Sequence, residues 1–87
     1  MTPEHAEILA LDGLAWLASR PDDMQRFFNL SGMDVTQLRD NAGTAAVSLA
    51  VIDFLMSDEP LLIAFCEDNQ LDPRKMQSAR FALGASA

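Results

Sequence analysis

The chain has 87 residues, 49% of them hydrophobic, with thirteen Asp and Glu against six Lys and Arg for a formal charge of −7, and one cysteine. That length holds one hydrophobic core and no second domain, and the apolar content is that of a folded protein. A lone cysteine excludes an internal disulfide, no Cys/His set suits structural zinc, and the acidic balance opposes nucleic acid and anionic lipid.

The punctuation is helical throughout, with Pro and Asp at helix starts and no sustained alternation of β-branched residues. The fold class is therefore all-α, a compact six-helix domain. Thr2 before Pro3 reads as an N-cap and opens a helix over 3–19, with Ala10, Leu11, Leu14, Leu17 and Ala18 as its apolar face. Pro21, with Asp22 and Asp23 at the positive end of the helix dipole, opens a second helix carrying Met24, Phe27, Phe28 and Leu30, which Gly32 ends. Asp34 and Gln37 have the form of a capping box for a short third helix through Leu38 to about 42, before Gly43. The fourth helix, 44–56, has only Ser48 and Asp53 as polar interior residues, so other helices or another subunit must cover most of it. Asp58, Glu59 and Pro60 start a fifth helix through Leu62, Phe65 and Cys66. Asp72 caps a sixth from Pro73 through Met76 and Phe81 toward Leu83, and 84–87 is expected to fray.

A shift of 38 positions aligns the halves without a gap. Leu11 falls on Leu49, Leu14 on Ile52, Trp16 on Phe54, Leu17 on Leu55, Phe27 on Phe65, and the capping Asp34 on Asp72. The expectation is a single domain over 1–87 made of two pseudo-repeated three-helix halves, about 3–42 and 43–83, whose apolar faces meet.

Ala10-Leu11-Asp12-Gly13-Leu14-Ala15-Trp16-Leu17-Ala18, then Phe27, Ser31-Gly32-Met33-Asp34 and Leu38-Arg39, form one block. A second carries Ile52-Asp53-Phe54-Leu55-Met56-Ser57-Asp58-Glu59, Leu62, Phe65, Leu71-Asp72-Pro73 and Ala82-Leu83-Gly84. Together they resemble the bacterial family of unknown function DUF3572 over nearly the whole chain. The resemblance implies a small bacterial cytoplasmic helical protein and carries over no functional residue.

Catalytic chemistry has little to work with: one His, one Cys, no Tyr and one Lys. His5 reads as an exposed residue of the first helix and Cys66 as a small buried hydrophobe. Asp22-Asp23 and Asp58-Glu59 read as caps favoured by the helix dipole, without the oxygen spacing of a calcium loop. No catalytic residue, metal ligand or cofactor-binding residue is assigned, and no cofactor is expected. Residues 27–41 have a helix-turn-helix outline, but Thr36, Gln37 and Arg39 sit beside Asp34 and Asp40, a poor surface for phosphates.

Leu9 and Trp16 project together at the border of the first helix's polar side. Either the last helix covers them with Phe81 and Leu83, or Trp16 anchors a partner with Leu9 and Phe81 beside it. The leading expectation is a non-enzymatic protein-protein interaction module, binding another protein or forming a homodimer, with nucleic acid a poor candidate. The alternatives are a small-ligand protein with a cavity between the halves reached by Cys66 or His5, and a helix-turn-helix DNA-binding protein. The N-terminus lacks the basic start and apolar stretch of a signal peptide, and the apolar runs fall far short of the ~20 residues that span a bilayer, so a cytoplasmic location without membrane insertion is expected.

Overall fold

Each helix start meets a side-chain or backbone acceptor for its unpaired amides, and these positions set the element boundaries. The computed structural model describes residues 1–86 and places six helices: α1 (Pro3–Ala18), α2 (Pro21–Ser31), α3 (Val35–Asn41), α4 (Ala45–Met56), α5 (Glu59–Asp68) and α6 (Arg74–Ser86). No strand occurs among the described residues. Thr2 Oγ1 accepts from the His5 amide at 3.2 Å, Thr44 Oγ1 from Val47 at 3.3 Å and Asp58 Oδ1 from Leu61 at 3.1 Å. Asp34 and Gln37 complete the capping box, at 2.8 Å from the Gln37 amide to Asp34 Oδ1 and 3.0 Å from the Asp34 amide to Gln37 Oε1.

Two boundaries differ from the sequence expectation. The sixth helix begins at Arg74 rather than Pro73, because the Arg74 amide donates to Asp72 Oδ1 at 2.9 Å and the turn before it is not yet helical. Its end does not fray at Gly84; the helix runs on through Ser86, and Ala87 lies outside the described residues.

The buried face of α1 is rotated from the one read off its large side chains. Ala6, Ala10, Gly13 and Leu17 are buried, whereas Leu11 is 43% exposed and Ala18 is exposed. The reason is close helix packing: a Cβ on Gly13 would stand 2.9 Å from Leu55 Cδ1 and 3.3 Å from Val51 Cγ1, so the small residues mark where α1 and α4 cross. α4 is central as expected, burying Val47, Ser48, Val51, Ile52, Phe54 and Leu55 and packing against α1, α2, α5 and α6. α6 closes the core with Met76, Ala79, Ala82 and Leu83, and its most extensive partners are α1 and α4.

Positions paired by the 38-residue register also meet in space. Trp16 stands edge-on to Phe65 with ring centroids 5.4 Å apart, and Phe54 edge-on to Phe27 at 5.4 Å. Gly32 and Gln70, also 38 apart, both take left-handed backbone at φ 74° and 52°. The halves differ in their third helices: α3 has 7 residues and lies at the periphery, whereas α6 has 13 and is core.

Candidate functional site

The titratable side chains serve the helix ends. Arg26 on α2 donates to Asp58 at 3.0 Å and to Asp23 at 3.3 Å, and Arg20 donates to Asp23 at 2.7 Å, so the acidic pairs at the starts of α2 and α5 join in one surface network. The Leu61 amide and, next, the Arg26 guanidinium hold the Asp58 carboxyl below its ordinary value. Arg74, by side-chain and backbone hydrogen bonds, holds Asp72 down at about 2. Among the described residues no three His, Cys, Asp or Glu side chains converge as a metal site.

His5 is exposed, with its backbone amide in the Thr2 cap. Cys66 is buried at 2% exposure, and burial, with a smaller contribution from Asp72, pushes its thiol up, which disfavours the reactive thiolate. Neither side chain lines the grooves described below, and the crossing between α1 and α4 is filled by Leu55, Val51 and Phe65 around Gly13. In the helix-turn-helix outline, Gln37 is engaged in its own helix cap rather than presented outward.

The three candidate partner-binding residues separate. Trp16 is half-buried, and its cover comes from α5 and from Arg20 rather than from α6. Its indole Nε1 donates to Asp68 at 2.8 Å, its ring meets Phe65, and the Arg20 guanidinium lies 4.5 Å from its centroid. Leu9 is partly buried against the same core. Phe81 does not cover them; it is 79% exposed, because α6 turns Ala79, Ala82 and Leu83 inward and Phe81 to the opposite side.

Phe81 belongs instead to a surface that the sequence reading missed. With Met56, Gln77, Arg80 and Gly84 it lines an open groove of about 490 Å³ between α4 and α6. Arg80 Nε reaches Asp53 Oδ1 on α4 at 2.6 Å, and Asp53 borders a second groove, of about 280 Å³, whose edge is Leu30 of α2. Leu30 is 71% exposed, although its helix pattern assigned it to the core. The two most exposed large hydrophobic residues among the described ones thus stand on one strip, on either side of a single ion pair. The missed signal was the spacing of Ala46, Ala50, Asp53 and Ser57, a stripe along α4 that no other helix buries.

The fold and this surface define a class: a small all-α domain with its charged groups at helix ends and one open apolar strip on its outside. Within that class, the chain belongs to the family described as "Protein of unknown function (DUF3572)", which it matches over residues 3–86. No curated protein and no solved structure matches it significantly. No helix among the described residues is long and apolar enough to cross a membrane.

Proposed function

We propose that the protein is a non-enzymatic helical interaction module that docks another polypeptide on the α2–α4–α6 strip, with Phe81 as its main anchor. One observation carries the reading: Phe81 and Leu30, 79% and 71% exposed, flank the same pair of grooves. A large apolar side chain held in water on a rigid helix is unfavourable for an isolated domain and is what an interface uses. The open shape of the grooves suits a side chain or helix from a partner better than an enclosed small molecule. The buried Cys66 is in keeping with a reducing, cytoplasmic setting.

The test is photo-crosslinking in the native host, with p-benzoylphenylalanine replacing Phe81 in one strain and Leu11, on the outer side of α1, in another. The reading expects a defined polypeptide adduct from position 81 and none from position 11. Absence of any polypeptide adduct at 81, with the protein folded and expressed, would refute it.

A further inference from the structure

Resting on the interaction reading, we propose that the occupant of the strip is a second copy of this chain, seated so that a two-fold axis puts each Phe81 into the other's α4–α6 groove. A two-fold contact requires one surface to carry both a projection and the hollow that receives it. Phe81 is the projection, and Met56, Gln77 and Gly84 line the hollow beside it. The groove, at about 490 Å³, has room for an incoming phenyl ring. Gly84 presents no side chain, so the α6 of a second copy can approach the helix closely there.

Charge selects the same partner. Each chain carries −7, so two copies repel over most of their surfaces. The residues lining the two grooves include one cation and one anion, Arg80 and Asp53, and these neutralise each other at 2.6 Å. The whole net charge therefore lies off the strip, and this is where two like-charged copies meet with least repulsion. Neither a strongly basic nor a strongly acidic partner gains from a face without net charge. An interface holding both Phe81 and Leu30 also has the extent that a specific contact needs, on the order of 800 Å² per partner.

The experiment is sedimentation equilibrium of the full chain, wild type against Phe81→Asp and Leu11→Asp, with helicity checked by circular dichroism. Both replaced side chains are exposed, so both variants keep the fold. Wild type is expected to reach twice the 9.5 kDa of one chain in the micromolar range. Leu11→Asp should do the same, and Phe81→Asp should associate at least about 30-fold more weakly, as expected for an interface anchor. Raising salt from about 0.05 to 0.5 M should leave wild-type association unchanged or tighten it, because the −7 repulsion is screened. A single-chain mass up to roughly 0.5 mM overturns the proposal, as does a dimer indifferent to Phe81→Asp. The adduct mass at position 81 separates the two readings: a different polypeptide there, with a monomeric wild type, removes the second copy and keeps the interaction module, whereas no adduct removes both.

Discussion

Replacing Gly13 by alanine sets two physical effects against each other. Glycine inside a helix costs roughly 0.8–1.0 kcal/mol relative to alanine, so propensity alone makes Gly13→Ala stabilising. The new Cβ, however, would lie 2.9 Å from Leu55 Cδ1, 3.3 Å from Val51 Cγ1 and 3.8 Å from Phe65 Cζ. Leu55 and Phe65 are fully buried and Val51 is 1% exposed, so none has free space to move into and α1 must back away from α4. Overpacking of this kind costs typically about 1–3 kcal/mol, and the net expectation is a loss of about 1 kcal/mol. For a domain of this size that lowers the melting temperature by roughly 4–8 °C. Thermal and urea unfolding followed by circular dichroism measure it. Ala15→Gly on the exposed side of the same helix calibrates propensity, with an expected loss of about 1 kcal/mol and no steric component. A Gly13→Ala protein as stable as wild type, or more so, would show that the α1–α4 crossing is looser than the structure has it.

Trp16→Phe removes the donor to Asp68 while keeping a ring against Phe65, and it should cost about 1 kcal/mol in chemical denaturation, with Asp68→Ala in a Trp16→Phe background adding little. Gln70 holds left-handed backbone with a side chain at φ 52°, so Gln70→Gly should stabilise by about 0.5–1 kcal/mol, read as a raised urea midpoint. The Asp58 and Asp72 carboxyls bind a proton less readily folded than unfolded, so their contribution to stability is complete above the ordinary carboxylate value of roughly 4 and is lost as pH falls toward about 2. Melting temperature should fall through that window, and Asp58→Asn with Asp72→Asn should flatten the fall; an unchanged slope would contradict the ion-pair assignments.

Helix starts were legible because they are local: Thr2, Asp34 and Asp58 each bind an amide three residues on, a spacing visible in sequence. The all-α class, the central α4 and the burial of Cys66 followed from composition and periodicity. The α1 face was misread because large side chains dominate a hydropathy pattern, whereas a close crossing selects Ala6, Ala10 and Gly13. Leu30 and Phe81 were assigned inward by the same rule, and only the rotation of their helices in the assembled domain turns them out. The terminator of α5 was illegible for another reason: Gln70 does the work of a glycine, with the Leu71 amide bonded to the Cys66 carbonyl at 2.8 Å, and nothing in its chemistry announces it.

The aromatic pairs reach across the chain's midpoint: Trp16 rests on Phe65, and Phe54 rests on Phe27. The first helix finds its most extensive cover in the last one. A ribosome therefore releases α1 long before anything exists to shield Ala6, Ala10 and Leu17, and a nascent chain lacking α6 must hold that stripe bare. Folding of this protein is consequently an event of chain completion, in which the core closes in one step once the final helix is free to dock.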